Sequence, residues 1–292
     1  MYELQQVGEH SYFINCPAKI GIYSPDNEAV YLIDSGNDKK AGSKVRQILD
    51  EHNWSLKAIF NTHSHADHIG GNRYLQNQTG CKIFVPGIDC AMTRHTLLEP
   101  ALLYGGLPCG DLRHKFLMAQ ESDAEYLADE VLPEGLESIA LPGHAFDMVG
   151  FRTEDDVVFL ADCLSSRETL DKYQISFLYD PAAYLDTLEK VKTLTAKMFV
   201  PAHAPASEDI VPLAQLNIDK VREVADKICK LCSNPMIFED ILKALFDEYG
   251  LTLSFEQYVL VGSTVRSYLS WLKDTGRLTV RFEDNRLLWE RV

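Results

Sequence analysis

Nowhere does this chain of 292 residues carry an apolar run near the ~20 residues that a membrane-crossing helix needs. A membrane-spanning role is therefore excluded from the expectations. No basic segment followed by an apolar stretch opens the sequence, so no export signal is expected and a cytoplasmic location is. Runs of lysine and arginine are missing too. The chain has 28 Lys and Arg against 43 Asp and Glu, a formal net charge of −15, and such a field repels polyanions. Nucleic acid is accordingly disfavoured as a partner, and a small molecule is the expected substrate. The 7 cysteines are odd in number and lack the spacing of a disulfide framework, which fits a reducing compartment. Cys229-Lys230-Leu231-Cys232 has no second CxxC to complete a zinc site and reads as one face of a helix. A hydrophobic content of 46% with 24% charged residues is ordinary for a globular chain, here one main unit plus an appendage.

Histidine is scarce as well, with 9 in the whole chain, yet three fall within Thr62-His63-Ser64-His65-Ala66-Asp67-His68. The cluster follows the apolar run Leu56–Phe60, which reads as a buried strand, and precedes Ile69-Gly70-Gly71-Asn72-Arg73-Tyr74-Leu75, which reads as the start of a helix. Residues two apart in extended backbone share a side, so His63 and His65 can converge on one ion. Asp67 and His68 approach the same space from the turn into the helix. Imidazole with carboxylate suits zinc, or iron or manganese.

The pattern His63-x-His65-x-Asp67-His68 resembles the signature of the metallo-β-lactamase superfamily, four-layer αββα hydrolases that include glyoxalase II, lactonases and several nucleases. Three later elements complete the likeness. Leu141-Pro142-Gly143-His144 is similar to the family's PGH element, after the alternating stretch Glu137–Leu141. Val157–Asp162 is a strand ending in a carboxylate, with Ala161 where the family usually has glycine, and Met198–His203 is a third strand ending in a ligand. Val30–Gly36 resembles the strand that precedes the motif. The likeness covers roughly residues 1–210 and implies a glyoxalase II-like catalytic unit.

That resemblance implies two divalent metal ions, zinc before iron or manganese. His63, His65 and His144 would hold one; Asp67, His68 and His203 the other; Asp162 would bridge them. Two such ions about 3.5–4 Å apart activate a water between them and polarise the bond it attacks. Asp67 and Asp162 thereby enter the catalytic set. Asp34 would support the site by orienting a ligand or the motif loop, or else is a turn or cap residue before Ser35-Gly36. Cys163 is set aside as a ligand, because a strand neighbour of an inward-pointing Asp faces the other way.

The remaining pattern sets the organisation. Residues 2–7, 11–15, 18–24 and 29–34 read as a meander of strands. Asp38–His52 reads as a helix with Val45, Ile48 and Leu49 on its apolar stripe, and Cys81–Val85 as a strand. Residues 88–130 read as an insertion, helical around Ala91–Leu103, that serves as a lid or specificity wall, packs on the scaffold, or makes a homodimer contact. Tyr104, Leu107 and His114 are its candidate pocket residues; His95 and His114 have no partners at ligand spacing. Phe177 and Tyr179, in the aromatic loop Tyr173–Tyr179, are candidate substrate contacts. Pro181 opens a helix expected to reach about Ala196, and Ser207–Leu231 reads as a long amphipathic helix. The expected units are 1–210 (catalytic), 211–234 (linking helix) and 235–292.

This last segment reads as two helices, Ile237–Tyr249 and Phe255–Leu272, and a hairpin turning at Glu283-Asp284-Asn285. It resembles a small winged-helix-like domain appended to one branch of the superfamily. With seven Lys and Arg against nine Asp and Glu, a packing or dimerisation role is favoured over nucleic-acid binding. Three functions stay in view: hydrolysis of a small ester, thioester or lactone by a dinuclear metal-bound hydroxide; a ribonuclease or phosphodiesterase of the same superfamily; and a metal-retaining binding protein without turnover. Sparse basic surface favours the first.

Overall fold

A computed structural model describes residues 2–292. The meander is β1 (Glu3–Gln6), β2 (Ser11–Asn15), β3 (Ile20–Tyr23) and β4 (Ala29–Ile33), each antiparallel to the next. Helix α1 (Lys39–Glu51) then crosses to β5 (Ser55–Phe60), which lies parallel to β4. Its start is set by Asp38, whose side chain accepts from the Ala41 amide at 2.9 Å. Short helix α2 (Ala66–Ile69) and α3 (Asn72–Thr79) lead to β6 (Lys82–Val85). Helices α4 (Gly87–Arg94) and α5 (Leu98–Tyr104) precede β7 (Ala124–Tyr126), and β5, β6 and β7 run parallel. These seven strands form one sheet in sequence order.

The second sheet holds β8 (Leu136–Ala140), β9 (Val149–Thr153), β10 (Val157–Ser165) and β11 (Met198–His203), in the order β11-β10-β9-β8. Between its last two strands come α6 (Arg167–Tyr173) and α7 (Pro181–Val191), and the chain closes with α8 (Val211–Leu231), α9 (Phe238–Tyr249), α10 (Phe255–Asp274) and the hairpin β12 (Leu278–Glu283) with β13 (Arg286–Arg291). The hairpin turns on Asp284 and Asn285, both at positive φ, as a two-residue turn between twisted strands requires.

Alternation along the strands builds the four layers. In β3, Ile20 and Ile22 face α1 and α3 while Tyr23 faces the other sheet; in β4, Val30 and Leu32 face the helices while Tyr31 and Ile33 face inward. Phe13, Phe60 and Phe84 from the first sheet meet Phe151, Val157 and Phe159 from the second to make the inter-sheet core. On the far side, Val158 and Leu160 pack against α7 and α8. The result is the αββα sandwich, helices outside and two sheets within.

Several boundaries differ from the sequence reading, each for a local reason. The expected helix Ala91–Leu103 is two helices, α4 and α5, broken where His95 leaves helical backbone. The 88–130 segment is not only an excursion, because it supplies β7, the seventh strand of the large sheet. Helix α7 ends at Val191, five residues short of Ala196, and α8 starts at Val211 rather than Ser207. Strand β10 continues past Asp162 to Ser165, with irregular pairing against β11 around Ala161.

Residues 235–292 do not stand apart. Leu245, Val265, Tyr268 and Leu278 share one buried cluster with Leu160 of β10, Leu188 of α7 and Val224 of α8. Helix α10 also packs on α5: Val259 is buried with Leu103, Leu112 and Leu117, and Phe177 leans on the same group. His114 Nε2 also lies 2.9 Å from Glu256 Oε1 of α10.

Candidate metal centre

All the elements that carry the candidate ligands end at one rim of the sandwich. His63, His65, Asp67 and His68 follow β5; His144 lies in the turn between β8 and β9; Asp162 sits in β10; His203 ends β11. Carboxyl ends of parallel strands are where open α/β sheets present their ligand sites. The Pro142-Gly143 turn that delivers His144 needs glycine: φ at Gly143 is 119°, and a Cβ there would overlap the Tyr184 backbone at the start of α7. Ala161 adopts φ 48°, a left-handed conformation that glycine would occupy at lower cost. That local twist accompanies the shift in β10 pairing just before Asp162.

The structure gathers the seven side chains into two adjoining groups. His63, His65 and His144 form the first; Asp67, His68, Asp162 and His203 the second, with donor atoms in each group within 4.8 Å of one another. In the first, His63 Nε2 and His144 Nε2 each lie 3.0 Å from His65 Nδ1. In the second, Asp162 reaches His68 Nε2 at 2.9 Å and His203 Nε2 at 3.1 Å, and Asp67 reaches His203 Nε2 at 3.2 Å. Asp162 Oδ2 also comes within 3.5 Å of His144 Nε2, so this carboxylate stands between the groups.

The outer nitrogens of three imidazoles are tied down, which fixes the nitrogen that faces inward. His68 Nδ1 meets Asp34 Oδ2 at 2.7 Å, His203 Nδ1 meets the Pro17 carbonyl at 3.0 Å, and His63 Nδ1 meets Thr62 Oγ1 at 2.9 Å. Asp34 is buried and accepts from the Thr62 amide and hydroxyl, both at 2.8 Å, so it braces His68 directly and His63 through Thr62. The helix-capping aspartate of this stretch is Asp38.

Electrostatics separate the two groups. Burial pushes His65 down to about 4 and His144 to about 3, and pushes His63 well below its ordinary value with help from the charge on His68. Burial acts in the same direction on His203, but Asp162 and Asp67 overcome it and lift His203 to about 10; Asp162, Asp67 and Asp34 likewise raise His68. Burial alone would raise the Asp67 and Asp162 carboxyls, yet the neighbouring histidines hold both below the usual range.

This donor set fits divalent metal ions. Three imidazole nitrogens converge on one point with no acid among them, a group that neutral histidines form around a cation. His68 Nε2 and Asp162 Oδ1 are buried and without a well-aligned hydrogen bond despite their proximity, as expected of atoms meant for coordination.

Cys163 turns away into the core among α7 and α8, where burial pushes its thiol up. Of the proposed substrate contacts, Phe177 stacks edge-on against His65 at 5.1 Å and His144 at 5.7 Å between ring centres, and Tyr179 rests on Phe146 at 4.1 Å. Tyr104 is placed elsewhere: it is 44% exposed and faces Phe255 of α10, because the last turn of α5 is packed on that helix. Leu107 projects into solvent, and His114 is engaged with Glu256.

Sequence reasoning passed over Asp89. This buried residue of α4 accepts from the Ser64 amide at 3.0 Å and hydroxyl at 2.7 Å, and from the Asp147 amide at 3.0 Å. It thus anchors the backbone between His63 and His65 to the loop after His144. Only its place just after Pro86-Gly87, at the end of a parallel strand, hinted at such a role.

The sequence profile of the metallo-β-lactamase superfamily matches residues 15–203. A protein named hydroxyacylglutathione hydrolase from Methylococcus capsulatus is 38% identical over 81 residues, covering 23% of this chain and 32% of that one. The match thus spans about a third of that relative's length. A beta-lactamase-like protein 2 homolog from Drosophila melanogaster is 21% identical over 255 residues, covering 85% of this chain and 80% of that one. A crystal structure of a beta-lactamase domain protein from Burkholderia ambifaria superposes with a TM-score of 0.75 at 17% identity, over 99% of this chain and 94% of the other, which shows a shared fold.

Proposed function

The chain belongs to the metallo-β-lactamase superfamily of metallo-hydrolases, and we propose that it hydrolyses a small thioester, ester or lactone with two divalent ions, zinc first among them. His63, His65 and His144 would hold one ion, Asp67, His68 and His203 the other, with Asp162 shared. When bound, such a pair supplies an activated water and a charge that polarises the scissile bond. Asp34 and Asp89 hold the ligands in register, and no serine or cysteine nucleophile is required.

One observation carries the choice of substrate. The narrow cleft beside His65 is lined by Met92, Leu102, Leu103, Phe146 and Phe177 together with the acids Asp89 and Glu99, and no Lys or Arg lines it. A phosphodiester brings negative charge that such a wall leaves unpaired, inside a protein already at −15. A neutral acyl group brings no such charge to the metal rim. The name of the Methylococcus relative, a hydroxyacylglutathione hydrolase, supports an acyl substrate. Glutathione itself is not proposed, since that likeness is confined to 23% of this chain.

No helix among the described residues is long and apolar enough to cross a membrane. The seven cysteines are all free, which supports a reducing, cytoplasmic setting. Residues 235–292 are proposed to pack over the site rather than to bind nucleic acid.

The test is a panel under one metal condition: thioesters, lactones, bis-p-nitrophenyl phosphate and single-stranded RNA. The acyl substrates are expected to lead in kcat/KM. A tenfold or greater lead for the phosphodiester or RNA, about 1.4 kcal/mol in transition-state binding, would replace this reading with the nuclease one. Salt-sensitive RNA binding that disappears when charges on 235–292 are altered would point the same way.

A further inference from the structure

A chain with 28 Lys and Arg against 43 Asp and Glu shows the opposite balance in one place. Between the start of α1, Tyr74 of α3 and residues 115–120 of the insertion lies a groove of about 790 Å³, a size that small-molecule sites occupy. Three cations line it, Lys39, Lys40 and Lys115, against one acid, Asp38. That acid is already engaged: one carboxylate oxygen accepts from the Ala41 amide at 2.9 Å and the other from Lys115 at 2.8 Å. Lys39 leans over the Tyr74 ring, 6.0 Å from its centre, and neither Lys39 nor Lys40 is in an ion pair among the described residues. Tyr74 and Met118 give the groove an apolar side. Cations gathered around one concave surface repel each other, and an anion bound among them relieves that repulsion. The groove is separate from the metal centre. Gly70 in its wall ends α2 and Ala119 packs on Ala66 and Ile69 of that helix, but none of the seven candidate ligands lines it.

We propose that this groove binds a small anion, a phosphate monoester or a dicarboxylate, that carries an apolar or aromatic body. Lys39 and Lys40 on one side and Lys115 on the other take the charge, and Tyr74 and Met118 take the body. Lys115 comes from 77 residues beyond Asp38, so the insertion completes the groove. The site selects by size as well as sign. A small anion meets the local charge within a screening length, whereas a polyanion extends past the walls into the field of a chain at −15. The inference does not depend on the hydrolase reading, because no metal ligand takes part in it.

The experiment titrates the zinc-loaded full chain calorimetrically with phenyl phosphate, phthalate and benzyl alcohol. It also follows acetylation of each lysine by mass spectrometry, with and without the same probes. At least one of the two anions is expected to bind with a Kd of about 1 mM or tighter. That anion should slow acetylation of Lys39, Lys40 and Lys115 severalfold and leave Lys44, on α1 but outside the groove, unchanged. The tighter of the two identifies the charge as phosphate or carboxylate. Replacing both α1 cations, Lys39→Gln with Lys40→Gln, should weaken binding about tenfold, and added salt should weaken it in the natural chain. Both lysines are exposed, so the double variant should melt with the natural chain. The proposal is overturned if neither anion binds, if benzyl alcohol binds as well as they do, or if the double variant binds like the natural chain. Binding that leaves the three lysines unprotected, as at the metal centre, or that protects Lys44 equally, overturns it too.

Discussion

The two halves of the centre are built from neighbouring residues, yet they hold their protons in opposite ways. His63, His65 and His144 are buried among one another and are pushed toward the neutral, metal-ready form, with His65 at about 4 and His144 at about 3. His68 and His203 face Asp67 and Asp162 and are pushed toward the charged form, with His203 at about 10. Without metal, the second half is an internally neutralised network of imidazolium and carboxylate. The first half is a set of lone pairs. A cation entering the first half meets open donors, whereas one entering the second must displace the protons of His68 and His203.

Asp162 is where the contrast breaks most completely, since it touches His68, His203 and His144. Asp162→Ala is expected to leave one ion or fewer per chain and to lower kcat/KM by about 10³-fold or more, ~4 kcal/mol. Elemental analysis with steady-state kinetics decides it; two retained ions and activity within tenfold would refute the shared role.

The contrast itself is sharpened by counting protons. Zinc titrations at pH 7, in buffers of different ionisation enthalpy, should show about two protons released on filling the second half, one each from His68 and His203, and none from His65 or His144. Affinity for that second ion should climb with pH toward about 10, where His203 loses its proton on its own. Stability of the metal-free protein carries the opposite sign. A raised histidine pKa contributes stability that is complete below ~6.5 and is lost as pH rises through the folded value. Metal-free protein should therefore melt lower at pH 10 than at pH 7, and His203→Gln should flatten that slope. An unchanged proton count in His203→Gln would assign the proton elsewhere.

A smaller effect comes from the braces. Asp34 serves both halves, through His68 and through Thr62 to His63, while Asp89 serves only the first, through Ser64. Asp34→Ala should weaken both ions by roughly 10–100-fold and Asp89→Ala chiefly the first, readable by chelator competition. Equal loss of both ions in Asp89→Ala would deny it a selective role.

The smallest effect lies away from the centre. Asp155 joins the two sheets by accepting from Ser11 Oγ at 2.6 Å, Thr153 Oγ1 at 2.5 Å and the His10 amide at 2.8 Å. Burial opposes its charge, but these bonds hold its carboxyl below the usual range. Such an acid contributes stability above ~3.9 that is lost as pH falls through its lower folded value. Asp155→Asn should melt a few degrees lower near pH 7, converge with the natural chain in strong acid, and keep both ions. A constant difference at every pH would mean that shape, not charge, is at work.

The clustering of the seven candidate ligands was legible because their chemistry is dense and local: three histidines and an aspartate in six residues, then three later elements each closing on a ligand type. The outer layers were legible from period alone, as Val45, Ile48 and Leu49 show on α1. What escaped depends on contacts between distant segments. Strand β7 has three residues, two of them exposed, and no alternation to announce it. Asp89 and the Pro17 carbonyl act through partners 25 and 186 residues away. That Tyr104 faces Phe255 was not legible, because nothing in its own sequence neighbourhood tells that α10 will dock on α5. Helix α7 ends without a glycine or proline stop; Thr193 takes a carbonyl of the last turn, Lys190, at 2.7 Å.

One buried cluster runs from β10 through α7 and α8 into α9, α10 and the hairpin. Seams between independently folding parts are lined by linkers and few contacts, and no such seam falls at residue 235. Heat and denaturant should meet a single cooperative transition, with the second sheet and the terminal helices melting together. Because Val259 of α10 is buried with Leu103 in the group on which Phe177 packs, that same cooperativity reaches the wall of the cleft. Loosening at the far end of the chain would be felt as a change in what the centre admits.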